Sequence, residues 1–231
     1  MFDIIAFDAD DTLWHNEPYY IEARHELEQL LSPYQPASVV ERRLLEIETH
    51  NVNLYGYGIK SYTLSMIETA IELSGGRVSG AEVRQVLELG KRMLSASVHL
   101  MDGAESTLAA LRQEYDLMLI TKGDLLEQGD KIERSGLAGY FRRIEIVREK
   151  TARGYRELLE SHNIRPERFL MVGNSLKSDI LPVVEIGGWA VYIPYEHTWA
   201  HEHPAGEVSH FGYHQIERLE ELPGLLARLK Q

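Results

Sequence analysis

Asp8, Asp10 and Asp11 put three carboxylates within four residues near the start of the chain, in the run Phe7-Asp8-Ala9-Asp10-Asp11-Thr12-Leu13-Trp14. Crowded acids repel one another, and burial adds a desolvation cost to each ionised group. A bound cation relieves both penalties, and hard oxygen donors of this kind suit Mg2+. The stretch therefore points to a magnesium site in which one carboxylate is free to act as a nucleophile. Other polar groups stand far away in sequence. They are Thr121 with Lys122 and Gly123, then Lys150, then Asn174, Ser175, Ser178 and Asp179 in the loop that opens at Gly173.

Each of these groups follows an apolar run. Ile4–Phe7 and Leu117–Ile120 read as buried strands, Ile144–Val147 and Phe169–Val172 as a third and a fourth strand, and Trp189–Ile193 as a fifth. Helical patterns separate the later strands. Asp102 and Glu105 are expected to cap a helix running to Glu114, and further helices are expected over 125–135, 152–162, 180–186 and 222–229. Such alternation implies an α/β fold with a Rossmann-like parallel sheet core and helices on both faces. Ligands gather outside the carboxyl ends of such strands, so the distant polar groups are expected at one rim. After the first strand come four helical stripes with no strand between them. They are Pro18–Leu31; Val40, Leu44 and Ile47; Leu64, Ile67 and Ile71, ended by Gly75-Gly76; and Val83, Val86, Leu87, Gly90 and Leu94, entered through a pair, Ser79 and Glu82, that resembles a capping box. The expected organisation is a core of residues 1–14 and 98–231, with an α-helical cap domain, 15–97, inserted over the strand ends.

Asp8-Ala9-Asp10-Asp11-Thr12-Leu13 resembles the first motif of the haloacid dehalogenase superfamily, and Thr121, Lys150 and the Asn174–Asp179 stretch resemble its other motifs in order and spacing. The helical insert resembles the cap that many members carry between the first and second motifs. The resemblance implies a Mg2+-dependent phosphatase acting on a small phosphorylated metabolite. Asp8 would attack phosphorus and form an aspartyl phosphate. Asp10 would protonate the leaving oxygen, then activate water, and offer its backbone carbonyl to the metal. Thr121, with groups at Lys122 and Gly123, would hold the phosphoryl oxygens, and Lys150 would neutralise charge between Asp8 and the phosphate. Asp8, Asp10, Asn174 and Asp179 would form the metal shell.

Asp10 separates subclasses, because the true dehalogenases lack this acid and need no metal. A phosphomutase would pass the same intermediate to another hydroxyl. A non-catalytic phosphate-binding regulator is the reading from a different class, motivated by Asn174, where many relatives carry an acid. Thr151 stands where proline is common, and Lys122 where asparagine is frequent. Phosphonate-cleaving relatives form a Schiff base on a cap lysine. Lys60, beside Tyr55-Gly56-Tyr57-Gly58, is the position to compare, and it reads as a solvated lysine.

The chain has 231 residues, 44% of them hydrophobic, enough for one large domain or two modest ones. Its formal net charge of −12 disfavours nucleic acid and anionic membrane partners. An anionic substrate therefore needs a local positive pocket. The absence of cysteine excludes disulfides, thiolate metal sites and cysteine nucleophiles. No signal-like start or bilayer-length apolar run stands in the sequence, so a cytoplasmic protein is expected. The oligomeric state is left open. His197, His201, His203, His210 and His214 suggest zinc by type, but Pro204 interrupts them, and a surface or pocket-edge loop is the expectation, with Trp199 a candidate subunit contact. His15, Asn16, Glu17, Tyr19 and Tyr20 follow the acidic loop and fit a place near the hinge or pocket, and Tyr55–Gly58 a loop facing substrate, with core packing or an ordinary turn an equal reading for each.

Overall fold

The computed structural model describes residues 2–197 and 212–230. In chain order the strands are β1 (Ile4–Phe7), β2 (Asp116–Lys122), β3 (Arg143–Val147), β4 (Phe169–Gly173), β5 (Trp189–Tyr192) and β6 (His214–Gln215). The helices are α1 (Glu17–Leu31), α2 (Ala37–Tyr55), α3 (Ile59–Leu73), α4 (Gly80–Ser95), α5 (Ala104–Leu111), α6 (Leu125–Ser135), α7 (Ala152–Ser161), α8 (Leu181–Glu185) and α9 (Leu222–Leu229). The chain divides into two compact units: Met1–Glu17, Val98–Lys122 and Gln128–Gln231 in the first, and Pro18–Ser97 with Gly123–Glu127 in the second.

The first unit is built on one parallel sheet of order β3-β2-β1-β4-β5-β6. β1 lies between β2 and β4 and is buried along its whole length. Its alternation sends Ile5 and Phe7 to one face and Ile4 and Ala6 to the other, as the two-residue period of a strand requires. Ile5 and Phe7 pack with Leu108 of α5, Ile132 of α6 and Leu222 and Leu226 of α9. Ile4 and Ala6 pack with Tyr155 and Leu159 of α7 and Val183 of α8. Helices therefore cover both faces, and each fully buried side chain of this size contributes about 1.5–3 kcal/mol.

The second unit buries one stripe from each of its helices: Ala23, Leu27 and Leu31 of α1, Val40 and Leu44 of α2, Met66 and Ala70 of α3, and Val86, Leu89 and Met93 of α4. The three- and four-residue spacings are those of helices with one apolar side. Both bonds of the capping box at α4 are formed, with the Glu82 N–H donating to Ser79 and the Ser79 N–H to the Glu82 carboxylate. Glu127 accepts from the Ile59 N–H at 2.8 Å and closes the start of α3.

The helix expected to be capped by Asp102 and Glu105 differs in both bounds. It begins at Ala104 after a left-handed Gly103, has no side-chain cap, and ends at Leu111. The positive φ of Gly103 turns the chain there, a conformation that side chains avoid. The helix expected over 180–186 starts as a π-helical turn, Leu176–Ile180, before α8. The short strand β6 carries too little apolar pattern to be read from sequence. Among the described residues, no helix is long and apolar enough to cross a membrane.

Candidate active site

Sheet register sets the rim. Phe7, the last residue of β1, pairs with Leu119 of β2 and Val172 of β4; β4 ends one residue further on, whereas β2 runs on to Lys122. Asp8 follows at once, its N–H donating to the Val172 carbonyl at 2.9 Å. Thr121 is buried near the end of β2, and Asn174 follows β4 directly. Val147, the last residue of β3, pairs with Lys122, and Lys150 lies just beyond.

Lys150 is the electrostatic centre of this rim. Its side chain is 2% exposed, and its ammonium contacts Asp8 Oδ1 and, at 2.7 Å, Asp179 Oδ1. Burial pulls the Lys150 pKa down, but Asp179 and Asp8 outweigh it and hold the amine charged above the ordinary lysine range. Burial pushes the Asp179 carboxyl up, Lys150 opposes the shift, and the Asp8 charge adds to it. One ammonium thus serves two buried acids. The Thr12 hydroxyl lies 3.0 Å from Asp8 Oδ2 and 3.2 Å from Asn174 Oδ1, and accepts from the Asn174 N–H at 3.1 Å. A hydroxyl has one proton, so Thr12 donates to one of these oxygens at a time. The Ser175 N–H donates to Asp179 Oδ2 at 3.0 Å, and the Ser175 hydroxyl accepts from the Ser178 N–H at 2.9 Å, fixing the π-helical turn. Gly173 allows the close approach: a Cβ there would stand 2.3 Å from Asp179 Oδ2.

Asp10 has a separate set of partners. Trp14 Nε1 donates to Oδ1 at 2.7 Å and Gln128 Nε2 to Oδ2 at 2.9 Å. Lys131 Nζ spans both oxygens at 2.8 and 2.7 Å and also donates to Asn16 Oδ1 at 3.1 Å. Burial raises the Asp10 carboxyl, but the Lys131 charge and the three donors outweigh it and hold it below the usual carboxylate range. Asp11, at φ 60°, accepts from the N–H groups of Asn16 and Glu17 and so closes the start of α1. Burial pushes its carboxyl up to about 7 against those two bonds.

The remaining sequence candidates are distributed as follows. Lys122 donates to Ser178 Oγ at 3.0 Å, which carries it to the loop that bears Asp179. Gly123 follows β2 with a positive φ. His15 contacts the Tyr195 hydroxyl at 3.0 Å. Tyr19 donates to the Ser97 carbonyl and Tyr20 stacks edge-on against Tyr62, so both are packing residues of the second unit. Tyr55 is exposed. Lys60 pairs with Asp124 at 2.7 Å and is half exposed, as a solvated lysine would be. His197 packs edge-on against Tyr195 and His214 stacks on Trp189, in separate elements. His201, His203, His210 and Trp199 lie outside the described residues.

The sequence profile of the haloacid dehalogenase-like hydrolases matches residues 2–187, a span that takes in both units and every rim residue above. The chain belongs to that family. The haloacid dehalogenase-like family hydrolase from Xanthomonas campestris is 38% identical, with a TM-score of 0.88 over 99% of this chain and 91% of that one. A glyceraldehyde 3-phosphate phosphatase of Pyrococcus furiosus is 32% identical over 40% of this chain, and the match spans only 41% of that protein. A pyrimidine 5'-nucleotidase of Escherichia coli is 26% identical over 96% of this chain and 97% of its own length.

Within this haloacid dehalogenase-like hydrolase, sequence reading singled out Asp10 but not its partners Trp14, Gln128 and Lys131. A signal did exist. Gln128 and Lys131 sit three apart on α6, one face of a helix, and both are buried, whereas Leu125 and Leu126 are 70% and 68% exposed. Polar residues facing inward while leucines face out mark a helix turned toward polar work.

The donor set fits a hard cation. Asp8, Asn174 and Asp179 supply side-chain oxygens drawn together by Thr12 and Lys150. The Asp10 side chain is committed to Lys131, Gln128 and Trp14, which leaves its backbone carbonyl as the group to offer. Two buried acids facing one ammonium leave negative charge to be compensated, and oxygen donors of this kind suit Mg2+ rather than a softer metal.

Proposed function

We propose that the chain is a Mg2+-dependent phosphatase that hydrolyses a small phosphorylated metabolite through an aspartyl phosphate on Asp8. The observation that carries this reading is the pair Asp8 and Asp10, two residues apart at one strand end, with unlike surroundings. Asp8 sits against Lys150 and Thr12, and Asp10 sits against Lys131, Gln128 and Trp14. A binding protein has no need of two acids supported so differently. The phosphatase and nucleotidase names of the relatives point the same way.

Asp8 is the group to form the bond to phosphorus, while the bond from phosphorus to the ester oxygen breaks and a proton reaches that oxygen through Asp10, which Lys131 returns to the carboxylate form. Water then attacks the aspartyl phosphate, its proton passes to Asp10, and inorganic phosphate leaves. Lys150 and the hydroxyl of Thr121 would offset charge on the phosphoryl oxygens, with Lys122 and Gly123 beside them. A magnesium ion held by Asp8, the Asp10 carbonyl, Asn174 and Asp179 would supply charge neutralisation for a dianionic phosphate brought to a carboxylate. The surplus of acids over ammonium at the rim supports this need.

The test is release of inorganic phosphate from an aryl phosphate and a panel of small phosphoesters, with and without Mg2+. Metal-dependent release is expected in the wild type and none in Asp8→Asn, with the fold retained by circular dichroism. Turnover in Asp8→Asn would remove the nucleophile assignment. An isomerised sugar phosphate in place of free phosphate would make the enzyme a mutase.

A further inference from the structure

Asp10 is held more completely than an acid at a loop needs to be. Trp14 takes one oxygen, Gln128 the other, and Lys131 lies across both. A terminal carboxylate rotates in a broad two-fold well, so contacts on both oxygens are what fix its plane. The donors come from two places, the loop after β1 and one face of α6. Burying an amine and an amide on that face forgoes apolar packing and desolvates a charge. Gln128 and Lys131 are nevertheless buried at 2% and 8% exposure. Asp10 keeps 22% of its side chain exposed, so one edge stays open.

We propose that Lys131 is a positioning residue that, with Gln128 and Trp14, fixes the Asp10 carboxylate to remove the proton from the water that attacks the aspartyl phosphate. In that half-reaction the water oxygen bonds to phosphorus, the bond from phosphorus to Asp8 breaks, and the water proton moves to Asp10. The products are inorganic phosphate and a free Asp8 carboxylate. The inference rests on the phosphatase reading. It adds that α6, which carries none of the four recognised motifs, governs the second half-reaction.

A substrate with a good leaving group isolates that step, because it phosphorylates Asp8 with little help from an acid. Lys131→Met is therefore assayed with p-nitrophenyl phosphate and Mg2+. The expected result is a kcat lowered about 10- to 100-fold with KM lowered in parallel, so that kcat/KM stays within about twofold. A burst of nitrophenolate near one equivalent and a trappable phosphoenzyme should appear. Lys131→Arg should recover part of kcat, and Asp10→Asn combined with Lys131→Met should lose no more than Asp10→Asn alone. If Lys131→Met does not fold, Gln128→Leu carries the same test with a smaller effect, since it keeps the ion pair. A fall in kcat/KM as large as that in kcat, with no burst, marks Lys131 as merely structural and overturns the proposal. An inert wild type sinks the phosphatase reading itself, whereas an active wild type with an unchanged variant sinks only the role of Lys131.

Discussion

Lys150 stands between Asp8 and Asp179, and its removal is the severest single change available at the rim. Breaking a buried pair by deleting one partner costs about 3–5 kcal/mol, because a buried charge loses its compensation. Two acids lose it here. Lys150→Met is expected to lower unfolding stability by about that amount in urea titrations without metal, and to abolish phosphate release. An unchanged urea midpoint would mean the two carboxylates have other support. Asp8, Lys150 and Asp179 stood out in the sequence by type and spacing, and the sheet brings them into contact at one rim. Lys131 did not, because a lysine in a helix rich in charge is ordinarily a solvated face. Only its burial against Asp10 distinguishes it from the exposed Lys60 and Arg153.

Elements differ in how much of their geometry periodicity reveals. α4 was readable in its start but not in its buried face: the capping box is formed, yet Leu87 and Leu94 of the expected stripe are exposed, and Leu89 and Met93 join Val86 inside. α6 was readable as a helix but not in its orientation, because Leu125 and Leu126 suggest an apolar face, whereas the buried side chains are Glu127, Gln128 and Lys131 together with Ile132. The π-helical turn at Leu176–Ile180 left no pattern, although the backbone bonds from Asp179 and Ile180 to the Ser175 carbonyl depend on it. α2, in the second unit, offers a test of its own. Burial pushes the Glu48 carboxyl up to about 7, with Arg24 opposing. A carboxyl raised above its unfolded value costs nothing while neutral in both states, and its cost grows as pH climbs from about 4.5 to about 7. Glu48→Gln is therefore expected to stabilise the protein by about 1–2 kcal/mol at pH 8 and to be near neutral at pH 4. Thermal melts at the two pH values check this, and equal effects at both would contradict it.

At the scale of the molecule, each unit has an apolar core of its own, and the rim residues belong to the first. A cation held by the native rim and not by the unfolded chain must raise stability by mass action. At a concentration 100 times its dissociation constant the gain is about 2.7 kcal/mol. For a chain of this size that corresponds to a rise in Tm of about 5–10 °C. Mg2+ is expected to produce such a rise in the wild type and little in Asp179→Asn; equal shifts in both would place the ion elsewhere. The sequence by itself determined the five longer strands, the sheet class, the family motifs and the acids of the rim, because apolar runs and paired carboxylates are local signals. Tertiary structure alone decided that Lys150 is shared by two acids, that Thr12 bridges Asp8 and Asn174, and that α6 turns Gln128 and Lys131 onto Asp10. Those are contacts between residues more than a hundred positions apart or between elements, and packing, not pattern, sets them.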